Sequence, residues 1–228
     1  MKQKPLPDKY YFYPISLFGL LLTLVLSFLA FNQVTGIKKA WFLVFQVFIG
    51  VLLCLLPFLV ERRLKLRMSS YFKKTYWLFL GLSVFLGTGL SFYLRIRYWD
   101  KMLHAFSGMV LTILGLGVLS LLMPKFKHLS TATILLFAFF FAMTLGVYWE
   151  FYEFTFDGLL GLNMQQFATI TGRNLVGRHS LMDTMSDLFA NALGASLFTL
   201  YCAFKMNRSN DWLQHFFFIS TKEPRVTK

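Results

Sequence analysis

Charge is scarce in this 228-residue chain. Only 14% of the residues are charged, where a soluble domain carries about a quarter, and just 10 acids stand against 23 lysines and arginines. That scarcity excludes an ordinary water-soluble domain of this length. Cysteine is scarcer still. Cys54 and Cys202 both lie inside apolar runs with no CxxC or zinc spacing, which argues against a disulfide scaffold and for buried packing. The chain also lacks an HExxH motif, the P-S-G-H pattern of lipid phosphatases, any internal repeat and any low-complexity tract. The apolar run after the basic start is too long for a signal-peptide core and has no A-x-A site behind it, so we expect an uncleaved first helix.

What the chain has is apolar residues. They make up 57% of it, with a mean hydropathy of +0.58. In lipid every backbone polar group needs an internal partner, so the expected fold is all-α: a polytopic membrane helix bundle forming a single integral membrane domain. Six apolar blocks are long enough to cross about 30 Å of hydrocarbon: 12–31, 41–60, 76–94, 103–123, 131–151 and 183–204, followed by a cytoplasmic tail over 205–228. Trp41, Tyr76, Trp77, Tyr98, Trp99, Tyr148 and Trp149 fall at block ends, as an aromatic belt requires.

The net charge of +13 does not point to nucleic acid, because the basic residues are dispersed among short loops and tails. They read as topology signals and contacts to anionic membrane lipids. With six crossings, 16 of the 23 basic residues fall on the side of both termini; the other seven are Lys38, Lys39, Arg95, Arg97, Lys101, Arg173 and Arg178. The positive-inside rule then places both termini in the cytoplasm.

Three polar constellations interrupt the apolar blocks. In WDKMLHAFSG, Asp100 and His104 stand four apart. In YWEFYEFTFDG, Glu150, Glu153 and Asp157 share one helical face. In LMDTMSDLFANALG, Asp183, Asp187 and Asn191 form a stripe with a spacing of four. The first and third open their blocks and the second closes its own, so with alternating crossings all three meet at one membrane depth on the outer side. Six of the ten acids gather there. Ionisable groups in a membrane face a bundle interior or water and mark function by default. An outward-facing acidic pocket is expected, walled by Asp183, Asp187 and Asn191 with His104 and Glu150 opposite. The loop over 157–182 adds Arg173, Arg178 and His179, which could reach a phosphate or carboxylate. Taken singly, each residue has a plainer explanation. Asp100 and Asp183 suit helix N-caps, Asn191 a helix–helix hydrogen bond, Glu153 and Asp157 a solvated mouth, and His104 packing.

These motifs also carry a resemblance. D-x-x-x-H opening one helix, E closing the next and D-x-x-x-D-x-x-x-N-x-x-G-A opening the last resemble the VanZ-like superfamily of bacterial integral membrane proteins. The E-F-Y-E and D-T-x-x-D details are most similar to its YjdF branch. The resemblance covers residues 76–204 and implies that Asp100, His104, Glu150, Glu153, Asp183, Asp187 and Asn191 are the polar positions of the family. It also implies a plasma-membrane protein of the bacterial cell envelope, without specifying a reaction.

Three readings follow. The first is an enzyme at the outer leaflet acting on lipid-linked or envelope headgroups. His104, Glu150, Asp183 and Asp187 would be its catalytic groups, and Glu153, Asn191, Arg173 and Arg178 would bind substrate. Asp100, His104, Glu150 and Asp183 would ligate a divalent metal; mixed oxygen ligands suit Mg²⁺, Mn²⁺ or Ca²⁺, and His admits Zn²⁺. The second is a proton- or cation-coupled transporter, against which the inner halves of the last three blocks are apolar. The third is a non-enzymatic protein whose polar network only holds helices together.

Overall fold

The computed structural model of the protein describes residues 7–32, 36–123, 129–169, 171–206, 208 and 212–221. Of the basic residues used for the topology count, Lys2, Lys4, Lys125, Lys127, Lys222, Arg225 and Lys228 lie outside the described residues. The described chain is a helical bundle, as its composition requires. It divides into two compact units, one up to Trp99 together with the segment from Gln214, the other Asp100–Leu213.

The first unit contains α1 (Lys9–Phe31), α2 (Ile37–Leu53), α3 (Leu56–Leu64), a two-residue strand β1 (Leu66–Arg67), α4 (Ser70–Leu80) and a short α5 (Phe92–Arg95). Between α4 and α5 the chain continues as a π-helix over Gly81–Gly89. α2 and α3 meet at a 43° bend. Pro57, near the start of α3, has no N–H to give the Leu53 carbonyl four residues back. The Tyr76 hydroxyl donates to that carbonyl instead at 2.9 Å, and the Trp77 indole donates to the Cys54 carbonyl at 2.9 Å. The bend is therefore capped from α4 rather than left unpaired in apolar surroundings. Trp77 and Phe85 form the centre of a core with Leu22, Val47, Val51, Cys54 and Leu80. The segment after Gln214 returns to this unit: β2 (Ile219–Ser220) pairs antiparallel with β1, and Phe218 packs edge-on against Phe72. The described part of the expected tail is thus held by pairing and aromatic contact.

The second unit is built on α6 (Trp99–Leu122), α7 (Thr131–Leu160) and α8 (Met182–Met206), the last preceded by a 3₁₀ turn over Gly177–Leu181. Its helices touch through glycines. A Cβ on Gly194 of α8 would lie 1.8 Å from the Ala105 carbonyl oxygen of α6, and one on Gly108 would lie 2.3 Å from the Asn191 carbonyl oxygen. Only hydrogen at these two positions lets the α6 and α8 backbones meet, the small-residue packing of membrane helices. This crossing lies about two to three turns from the acids and fixes which side chains face each other.

Among the described residues, four helical stretches are long and apolar enough to span a membrane: α1, α6, α7 and Gly177–Met206. The bent α2–α3 pair makes a fifth. The expected block 76–94 does not form a single long helix. It is divided among α4, which begins earlier at Ser70, the π-helical stretch and a break at Ser91, whose φ is +61°. The expected block 131–151 extends to Leu160, which brings Glu153 and Asp157 into α7. Outward-facing Leu24, Phe28, Phe140, Phe154, Leu193 and Leu200 stay exposed, as lipid-facing positions do.

Candidate acid, lysine and histidine site

Sequence spacing puts Asp100 and His104 on one face of α6, and Asp183 and Asp187 on one face of α8. The glycine crossing turns these faces toward each other. The residue that joins them is Lys101. Its Nζ lies 2.6 Å from Asp183 Oδ1, 2.7 Å from Asp187 Oδ1 and 3.2 Å from Asp100 Oδ2. His104 Nε2 lies 3.7 Å from Asp100 Oδ1 and 3.7 Å from Asp187 Oδ1, too far for a direct hydrogen bond. The sequence reading counted Lys101 only as a topology charge. The signal that could have found it was a single cation beside Asp100 on a helix otherwise apolar for its length.

Asp187 is fully buried and Asn191 is 1% exposed. Several buried oxygens here have no hydrogen-bond partner among the described residues: Asp183 Oδ2, Asp187 Oδ2, Glu150 Oε1 and Asn191 Oδ1. The amide of Asn191 donates at 3.4 Å to the Ala142 carbonyl of α7, and its side chain rests on Gly146, where a Cβ would lie 2.5 Å from Asn191 Nδ2. Asn191 therefore makes an interhelical hydrogen bond.

On α7, Glu150, Glu153 and Asp157 share one face, and all three are buried rather than solvated at a mouth. Their contacts differ. Glu153 Oε1 accepts from the Trp149 indole at 2.8 Å within the helix. Asp157 accepts the backbone N–H groups of Met164 and Gln165 at 2.7 and 3.0 Å, tying down the loop that follows. Glu150 contacts that loop through Gln165, whose Nε2 lies 3.5 Å from Glu150 Oε2 and donates to Thr184 Oγ1 on α8 at 2.9 Å. Gln166 Nε2 donates to Asp183 Oδ1 at 2.8 Å. These two glutamines were not singled out in the sequence, because a polar residue in a polar loop carries no periodic signal.

Arg173 and Arg178 are exposed on the loop, and neither makes an ion pair with the acids among the described residues. The compact set of metal-ligating atoms is Asp100, His104 and Asp187, all within 4.8 Å of one another. Among the described residues this set includes Asp187 and does not include Glu150 or Asp183, the other two ligands expected from the sequence. The donor set, two carboxylates and an imidazole, fits a divalent cation of intermediate hardness. The Lys101 ammonium already lies against two of the three ligands, so a metal there would have to displace or share with it.

A family model for predicted membrane proteins, DUF2238, matches residues 17–208. The chain belongs to this family. The DUF2238 match takes in all of α2 to α8 and every polar residue described above. An uncharacterized protein of Thermotoga maritima is 35% identical over 121 residues, which is 51% of this chain and 56% of the relative. The chain therefore spans a little over half the length of that relative. No solved structure matches the chain.

Proposed function

We propose that this DUF2238 member is a multi-pass bacterial plasma-membrane protein in which the continuous Ser70–Gly89 stretch makes a sixth crossing and both termini lie in the cytoplasm, and whose acid, lysine and histidine cluster faces outward and binds or processes a lipid-linked or cell-envelope headgroup with a divalent cation. One observation carries the reading: the cluster has more buried acceptor oxygens than the described donors satisfy. Three aspartates surround one ammonium. An unpaired buried carboxylate costs several kcal/mol, roughly, so such a surplus calls for a further positive or donor-bearing group. Asp100, His104 and Asp187 would hold a cation, with Asp183 and Glu150 beside it. Such a cation would polarise a phosphoryl oxygen or make a bound water more acidic. Arg173 and Arg178 would meet an anionic portion of the headgroup from the loop. The likeness of the D-x-x-x-H and D-x-x-x-D-x-x-x-N motifs to VanZ-like proteins of the YjdF branch supports the envelope setting, and the uneven Lys/Arg distribution supports the orientation.

The test is metal content, by mass spectrometry, of detergent-purified protein incubated with Mg²⁺, Mn²⁺ or Zn²⁺. One metal per chain in the wild type, lost in His104→Ala and in Asp187→Asn, is expected. No metal in the wild type, with both variants as stable as the parent, would sink the reading.

A second reading rests on Lys101 alone. By bridging Asp100 on its own helix to Asp183 and Asp187 on α8, it pins two helices together without chemistry. No metal, together with variants that melt well below the wild type, would favour it.

A further inference from the structure

The loop between α7 and α8 is built to cover the acids and to let go of them. Gly161 (φ +62°) ends α7 and Gly177 (φ +62°) opens the turn before α8. Both occupy the left-handed region that favours glycine, and a Cβ at either would meet nothing within 4 Å, so neither is needed for packing. They stand where hinges would be placed, at the ends of the two helices that carry the site. Near its base the loop is fastened firmly, by the Asp157 carboxylate on the Met164 and Gln165 N–H groups. At the acids it is fastened by neutral amides only: Gln165 to Thr184 and Glu150, and Gln166 to Asp183. Gln166 is an exposed residue in a left-handed conformation (φ +46°) that non-glycine residues adopt at a cost. A strained, solvent-accessible glutamine that donates to an aspartate carboxyl is a contact that another donor can replace.

We propose that the Gln165–Gln166 turn is a lid, whose side-chain amides occupy donor positions over Asp183 and Glu150 and are displaced when a cation or a donor-bearing headgroup enters. The inference rests on reading the cluster as a ligand site. The lid exchanges weak donors for stronger ones, and Asp157 keeps the Met164–Gln165 backbone attached while the Gln165 side chain and the chain from Gln166 onward move away.

The experiment uses full-length protein in detergent, without and then with a ligand probe. First, a water-soluble carbodiimide with glycine ethyl ester labels accessible carboxylates, and peptide mass spectrometry reads Asp183 and Glu150 in the wild type and in Gln165→Ala/Gln166→Ala. The double variant is expected to label both acids at least fivefold faster, with Glu153 unchanged because its partner is Trp149. Equal labelling at Asp183 and Glu150 would overturn the lid, whether or not any ligand binds. Second, hydrogen–deuterium exchange of the segment between Gly161 and Gly177 is followed with Mn²⁺ as the probe. Faster loop exchange in Mn²⁺-loaded protein supports displacement; unchanged or slower exchange in protein shown to hold Mn²⁺ overturns it. If the wild type takes up no Mn²⁺ but the variant still unmasks the acids, the metal part of the function proposal fails and the lid stands.

Discussion

Each compact unit sets one lysine among acids, buried for Lys73 and half-buried for Lys101, and the two clusters end differently. In the first unit Lys73 is 7% exposed, with Nζ 2.7 Å from Asp8 and 3.2 Å from Glu61. Two further donors complete the cluster: Ser70 donates to the other oxygen of Asp8, and the Met68 N–H donates to the Glu61 oxygen that Lys73 faces. No buried side-chain atom of these three residues lacks a partner among the described residues. In the second unit Lys101 faces three aspartates, and carboxylate oxygens are left over. A lysine matched by its acids fastens α1, α3 and α4 and needs nothing more. A lysine outnumbered by its acids, one of them fully buried, leaves a deficit of positive charge, which a ligand can fill. The contrast is what sets the second cluster apart as the candidate site.

The largest expected effect comes from removing the outnumbered lysine. Lys101→Ala leaves three facing carboxylates without their ammonium, and a loss of about 3 kcal/mol or more is expected. Thermal unfolding in detergent checks it, and adding Asp187→Asn should recover part of the loss. A Lys101→Ala protein as stable as the wild type would mean the carboxylates are already neutral or otherwise balanced. Next comes Gly194→Ala, which drives a methyl into the Ala105 carbonyl; about 1–3 kcal/mol is expected for such overpacking, together with loss of metal binding because α6 and α8 separate. Retained stability with retained metal would show the crossing to be looser than it looks.

Lys73→Ala should cost less, about 1–2 kcal/mol, since Asp8 and Glu61 keep other donors and some water. If it costs more than Lys101→Ala, the comparison drawn above is reversed. A smaller effect is a pH dependence centred on Asp8. Burial alone would push this carboxyl up, but the hydrogen bonds from Lys73 and Ser70 and the charges of Lys73 and Lys74 outweigh it and hold it below its ordinary value of 3.8. The unfolded chain then takes up the proton first as pH falls. The stabilisation from Asp8 is therefore whole well above pH 3.8 and fades as pH drops through that value and below it. Melting curves of wild type and Asp8→Asn should converge on acidification; curves that stay parallel would remove Asp8 from the clamp. Smallest of all is Arg173→Ala/Arg178→Ala, expected to shift stability by under about 0.5 kcal/mol because both side chains are exposed. Headgroup binding would fall in that variant if the two arginines serve the ligand as proposed.

Much of the site was legible before any coordinates. A spacing of four on a helix puts Asp183, Asp187 and Asn191 in a row whatever surrounds them, and the same rule pairs Asp100 with His104. Glu150, Glu153 and Asp157 were legible as one face but not as three separate jobs. An indole four residues earlier satisfies Glu153, and loop N–H groups satisfy Asp157, and neither partnership has a sequence period. Lys101 was missed because an ammonium on a long flexible stem draws its partners from across a helix crossing.

The sequence by itself determined that the chain is helical, that it is apolar enough to cross a membrane several times, and which residues share each helical face. Those properties follow from local geometry and from the cost of bare backbone in hydrocarbon. Only the tertiary structure decided that α6 and α8 touch through Gly108 and Gly194, that Lys101 lies among three aspartates, and that Gln165 and Gln166 reach Glu150 and Asp183. Those contacts join residues up to 89 positions apart, as Gly194 and Ala105 are, and no local rule relates positions that meet only when helices pack.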